Sequence, residues 1–156
     1  MNPRYNVLFV CRDNAAMSLI AEALLRRFGG HDYHAFSAGI RAAAHPDALA
    51  MELLRDRRLW DPTLRSKGVT EFAHPEGPRF DFVITLGERA PAGLPRTWNG
   101  APNMIHWRIS DPLAGAQDSG RRAVTYRQTL IELETRIRLF ILVHQRDGLK
   151  RAARAA

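Results

Sequence analysis

The opening transition of this chain constrains its fold more than any other feature. Residues 5–10 read Tyr-Asn-Val-Leu-Phe-Val, a nearly unbroken apolar run, and after Cys11 the chain turns polar at Arg12-Asp13-Asn14. From Leu19 the apolar pairs Leu19 and Ala23, and Leu24 and Phe28, each recur at four residues until Gly29-Gly30 ends the pattern. A continuous apolar run has no wet face, so it predicts a strand buried on both sides, as strands of parallel sheets are. A strand passing directly into an amphipathic helix is one layer-building unit and needs others of its kind to cover it.

The rest of the chain supplies them. Residues 33–37 give a second short strand, closed by Ala38-Gly39. Pro46 suits the first position of another helix, which carries Leu49, Leu53 and Leu54 on one face. A short helix is expected near residues 67–72, and residues 80–86, Phe-Asp-Phe-Val-Ile-Thr-Leu, form the clearest later strand. The stretch 89–103, rich in proline and glycine, reads as loop. Met104-Ile105-His106-Trp107 gives a fourth strand, ending by Asp111-Pro112. A last helix over about 121–145 lines up Tyr126, Leu130, Leu133, Ile137, Phe140 and His144. This alternation predicts an α/β fold with a parallel sheet covered by helices on both faces.

The length of 156 residues fits one domain, expected over residues 1–146, with a basic, solvated C-terminal tail at 147–156. No apolar run approaches the ~18–20 residues needed to span a bilayer. The first residues lack the apolar core of a secretory signal, so the cytoplasm is the expected location. The net charge of +7 favours anionic partners in general. The basic residues are scattered and carry no recognition motif, so nucleic acid is not the indicated partner. Six histidines lack the i, i+4 pairing that places two ligands on one helix face, and no metal is assigned. Of three tryptophans, only Trp98, in the proline-rich loop, is a candidate rim residue. Nothing in the sequence indicates the oligomeric state.

A single cysteine, Cys11, excludes an internal disulfide and makes its surroundings the question. It stands at the carboxyl end of the first strand, where open α/β sheets bind ligands. Loop and helix-terminal N–H groups there can converge on a phosphate-like ion and lower the pKa of the thiol. A lone cysteine at a strand end is also commonly a small buried residue. Spacing alone leaves both readings open.

The segment from Val7 to Ser18 resembles the signature of the low-molecular-weight protein tyrosine phosphatase and arsenate reductase superfamily, in which a strand ends in Cys, five residues follow, and Arg-Ser opens a helix. The similarity continues through residues 17–25 (Met-Ser-Leu-Ile-Ala-Glu-Ala-Leu-Leu), 36–39 (Phe-Ser-Ala-Gly), 65–67 (Arg-Ser-Lys), 80–86 and 106–112 (His-Trp-Arg-Ile-Ser-Asp-Pro). The loop Trp98-Asn99-Gly100 and the run from His106-Trp107 to Asp111-Pro112 are closer to the arsenate reductase side. The resemblance implies a three-layer sandwich with a four-stranded parallel sheet, of the phosphotyrosine-phosphatase I type. It also implies Cys11 as nucleophile, Asp111 as general acid, Asn14 as the residue holding the loop's shape and Ser18 as the hydroxyl supporting the thiolate. Arg12, Asp13, Asn14, Ala15, Ala16, Met17 and Ser18 fall on the oxyanion-binding loop.

Two departures qualify that implication. Met17 stands where the family has its arginine, so the bidentate donor of the transferring group is missing. Arg12 brings a cation to the rim from the wrong end of the loop, and Asp13 roughly cancels it. Thioredoxin-coupled arsenate reductases use further cysteines, whereas the matching region here reads Leu86-Gly87-Glu88-Arg89-Ala90. The expected protein is therefore a divergent relative with weak or altered thiol-based activity toward phosphate, arsenate or a phosphorylated substrate. It needs no cofactor unless it reduces arsenate, which would require an external thiol such as glutathione. The other reading is a non-catalytic oxyanion-binding or regulatory protein.

Overall fold

The computed structural model describes residues 4–115 and 118–156, with the backbone alone over 146–152. Its strands are β1 (Tyr5–Cys11), β2 (Tyr33–Gly39), β3 (Phe82–Gly87) and β4 (Asn103–Arg108). Its helices are α1 (Met17–Gly29), α2 (Ala48–Asp56) and α3 (Ser119–Ala155), with 3-10 turns at Gly30–Asp32 and Val69–Glu71. The apolar runs pair into one four-stranded sheet of order β2-β1-β3-β4, parallel throughout.

Period-two alternation divides the core. Val7, Phe9 and Cys11 of β1 face α1, α2 and α3, together with Tyr33, Ala35, Phe82, Ile84, Leu86 and Trp107. Leu8 and Val10 face the other way, into a smaller cluster with Ala38, Val69, Phe72, Phe80 and Val83. The sequence predicts helices over both faces. In the structure the three α-helices share one face, and the other is closed by the Val69–Glu71 turn and by loop residues such as Leu94 and Trp98. Bulky aromatic residues make this thin cover sufficient: Phe36, Phe72 and Phe80 meet edge to face at 5.4–6.0 Å.

Two helix boundaries differ from the sequence pattern. Pro46 lies one residue outside the cap of α2, and the cap is Asp47, whose carboxylate accepts the Leu49 N–H at 3.2 Å. The buried stripe of α3 is formed by Tyr126, Leu130, Leu133, Ile137 and Phe140, but the helix continues to Ala155 instead of stopping near 145. The basic tail thus extends the helix, as expected of a stretch rich in alanine, arginine and lysine. Among the described residues, no helix is long and apolar enough to cross a membrane.

This topology places the site. From β1 the chain goes to β2 on one side and, later, to β3 on the other, so the order reverses at the carboxyl end of β1, where Cys11 is the last residue.

Candidate active site

Cys11 is 1% exposed and is followed by a loop of five residues before α1 begins at Met17. The carbonyls of this loop turn outward. Cys11, Arg12 and Asp13 oxygens accept the N–H groups of Ile40 (3.2 Å), Arg41 (2.8 Å) and Ala43 (2.8 Å), and the Ala15 oxygen accepts Asp47 N–H at 2.8 Å. Ser66 Oγ donates to the Asn14 oxygen at 2.7 Å. With carbonyls held outward on distant segments, the peptide planes present their N–H edges to the middle of the loop. Asn14 N–H already points to Cys11 Sγ at 3.3 Å.

Asn14 sets the curvature. Its φ of 51° is in the left-handed region that asparagine tolerates, and its side chain is held at both ends. The amide oxygen accepts Lys67 N–H at 2.9 Å and Nδ2 donates to Ser18 Oγ at 2.7 Å. Since Ser18 Oγ receives that bond, its own hydrogen is free for Cys11 Sγ, 2.9 Å away. Gly39, paired with Cys11 across the sheet, is required by close approach: a Cβ there would lie 2.7 Å from the Asp13 carbonyl carbon and 2.8 Å from Asn14 N.

Asp13 turns into the loop rather than away from it. Its Oδ1 accepts Ala15 N–H at 3.3 Å and lies 3.9 Å from Cys11 Sγ. Among the described residues it forms no ion pair. Burial pushes the Cys11 thiol up from its ordinary pKa, and the negative charge of Asp13 adds to that push. The hydroxyl and N–H of Ser18 and the N–H of Asn14 act against it. The sequence predicts a lowered thiol pKa. In this structure desolvation outweighs the loop donors.

Asp111 follows β4, with Oδ1 accepting Leu113 N–H at 2.9 Å. Burial raises its pKa, Leu113 N–H lowers it, Asp13 raises it and Arg12 lowers it, so the carboxyl group and the loop share one electrostatic environment. A carboxyl group raised in this way can hold a proton to give. Tyr126, buried on α3, donates its hydroxyl to Asp47 Oδ2 at 2.6 Å, tying α3 to the residue that caps α2 and bonds Ala15.

Behind the loop lies a buried ionic cluster. Glu22 on α1 is 2% exposed. It receives Ser37 Oγ at 2.7 Å and Arg26 Nη2 at 2.8 Å, with Lys67 Nζ at 3.7 Å. Lys67 Nζ also donates to Ser37 Oγ (3.1 Å) and to the Arg65 carbonyl (2.9 Å), while its backbone N–H holds Asn14. Burial pushes Glu22 up and Lys67 down, and the charge of each partner restrains the other.

A profile of the low molecular weight phosphotyrosine protein phosphatase family matches residues 6–153. The chain belongs to that family. An arsenate reductase of Bacillus cereus (strain AH187) is 26% identical over 141 residues, covering 90% of this chain and 96% of its own length. Among solved structures, the arsenate reductase from Archaeoglobus fulgidus DSM 4304 superposes with a TM-score of 0.69 at 30% identity, covering 86% of this chain and 98% of its own. A low molecular weight phosphotyrosine phosphatase from Vibrio cholerae O395 gives the same TM-score at 20% identity, covering 92% and 99%, and shares the fold. The curated relatives and the more similar structures place this family member on the arsenate reductase side.

Within this phosphotyrosine phosphatase family fold, Cys11, Asp13, Asn14 and Ser18 are drawn into one hydrogen-bonded group, and Ala15 contributes backbone N–H and carbonyl. Arg12 is exposed. Ala16 caps α1 without a side-chain bond. Met17, the first residue of α1, is 5% exposed and belongs, with Cys11 and Ala16, to the larger apolar cluster. Trp98 packs on Phe80 in the smaller core (6.1 Å between rings), its buried Nε1 without a hydrogen-bond partner among the described residues. Among the described residues no group of three potential ligands could hold a metal ion. Sequence reasoning missed Glu22, Ser37, Asp47, Lys67 and Tyr126. A carboxylate at position 22, beside Leu19 and Ala23 of the apolar stripe, is the signal that would have found the first.

Proposed function

We propose that this chain is a divergent phosphatase or arsenate reductase-like protein that binds a phosphate-like oxyanion above Cys11 and has weak or altered thiol-based activity. The observation carrying this reading is the loop with its carbonyls fastened outward around Cys11 Sγ, which leaves N–H edges for an anion. Cys11 is the nucleophile, and its thiolate attacks the central atom of the oxyanion. Asp111 gives its proton to the leaving oxygen. Asn14 and Ser18 fix the thiol and the loop, and the backbone of Arg12, Asp13, Ala15 and Ala16 supplies the cradle. Reduction of arsenate would need an external thiol such as glutathione, because Cys11 is the sole cysteine.

The activity is weak because Met17 offers no donor to the charge that develops during transfer. A transition-state arginine is worth ~10³–10⁵ in rate in phosphoryl transfer. The raised Cys11 thiol favours the second reading, an oxyanion-binding protein without turnover. Hydrolysis of an aryl phosphate, and reduction of arsenate with glutathione, measured on wild type and Cys11→Ser, separate the two. Slow turnover abolished by Cys11→Ser supports the catalyst, and turnover unchanged in that variant leaves the binding protein. A cytoplasmic location suits substrates of either kind.

A further inference from the structure

A carboxylate is an unexpected occupant of a loop shaped for anions, and among the described residues Asp13 forms no ion pair that would account for its position. Its Oδ1 accepts Ala15 N–H at 3.3 Å, so it already uses one donor of the cradle. The same oxygen is 3.9 Å from Cys11 Sγ, so a group seated over the sulfur would meet it. The polarity of the surrounding bonds is consistent. Asn14 Nδ2 donates to Ser18 Oγ (2.7 Å), Ser18 Oγ donates to Cys11 Sγ (2.9 Å), and the thiol hydrogen is left for Asp13. Asp13 is thus a pure acceptor at the end of a donor chain.

We propose that Asp13 is a specificity-determining residue that admits an oxyanion bearing a proton and rejects one bearing none. This rests on the loop's binding an oxyanion at all, as argued above. A fully deprotonated tetrahedral anion over Cys11 would bring like charge against the carboxylate, with no hydroxyl of its own to donate to it. An anion with a hydroxyl group can turn that hydroxyl to Asp13 and donate, replacing the weak thiol donor with a strong one. Free phosphate and arsenate keep at least one hydroxyl at neutral pH in either charge state, whereas sulfate keeps none, nor does the dianion of a phosphate ester. The ligand class is therefore the free, protonated inorganic oxyanion in preference to the ester dianion.

The test is calorimetric titration of phosphate, arsenate and sulfate at constant ionic strength into wild type, Asp13→Asn and Asp13→Ala, with thermal unfolding of each protein to show that it is folded. Asn keeps an oxygen for Ala15 N–H and removes only the charge. Ala removes both and guards against a failure of the first variant to fold. Wild type is expected to prefer phosphate and arsenate over sulfate by about a hundredfold or more, against ~10⁴–10⁵ for a site fully built to pair a ligand hydroxyl. Both variants should lose most of that ratio, chiefly by gaining sulfate affinity. Equal affinities in wild type, or a ratio unchanged in both variants, overturn the inference and leave oxyanion binding intact. No binding of any of the three anions to any of the three proteins removes the inference and the reading beneath it together.

Discussion

At Cys11 the fold exerts two opposed effects on one atom. N–H and hydroxyl donors from Asn14 and Ser18 stabilise a thiolate, while burial and the neighbouring Asp13 disfavour it, and burial is the largest influence. Ultraviolet titration of the thiolate, with Cys11→Ser as blank, should give a midpoint above the ~8.5 of a free cysteine. The stability consequence has a definite sign. Below that value the thiol is protonated both folded and unfolded. Above it the unfolded chain ionises first, so stability is lost as pH rises through the folded pKa, by at most ~1.4 kcal/mol per pH unit. Thermal unfolding across that range should therefore fall more steeply for wild type than for Cys11→Ser. Met17 is the second test at this scale. Met17→Arg places a cation in the core beneath α1, at an expected cost of about 1–3 kcal/mol, and any guanidinium that reaches the loop pairs with Asp13. Turnover should rise, by about tenfold or more, only when Asp13→Gly is added. A folded double variant no faster than wild type on an aryl phosphate would remove Met17 as the proposed cause of the proposed weak activity. The identity of these two positions was legible in the sequence; their environment was not, because desolvation of Cys11 and Met17 depends on helices that follow much later in the chain.

Between elements, the Glu22, Ser37 and Lys67 cluster joins α1, β2 and the segment that holds Asn14. Lys67→Met leaves Glu22, among the described residues, with Arg26 as its one cation beside the Ser37 hydroxyl, and the expected loss is ~3 kcal/mol in urea unfolding; adding Glu22→Gln should return part of it. A double variant no more stable than the single would show that the charges do not act as a pair. β1 and β3 were readable as near-continuous apolar runs, and the shorter, interrupted runs of β2 and β4 through the glycine and proline residues that bound them. Less visible was the choice of cap: Pro46 satisfies the local preference for a first helical residue, but Asp47 alone can accept the Leu49 N–H while also taking the Tyr126 hydroxyl. A side chain bonded to a residue 79 positions away leaves no local trace.

For the molecule as a whole, the topology follows from strand burial and the order of elements, whereas the loop after Cys11 takes its outward-carbonyl shape only after residues 40–47 and 66–67 have docked on it. The far end of α3 belongs to neither. Its last buried side chain among the described residues is Ile141, followed by the half-buried His144 ring against Phe82 and Phe140. A chain ending at residue 146 is expected to keep its unfolding free energy within ~1 kcal/mol while losing helical circular dichroism. A larger drop would assign the tail to the folded unit. The solitary, 1% exposed thiol also makes this protein its own reporter. A bulky thiol reagent can reach Cys11 only when the loop parts from β2 or when the whole chain opens. Labelling rates followed through low denaturant will therefore curve where one route gives way to the other, and the plateau at zero denaturant will read the free energy of loop opening alone.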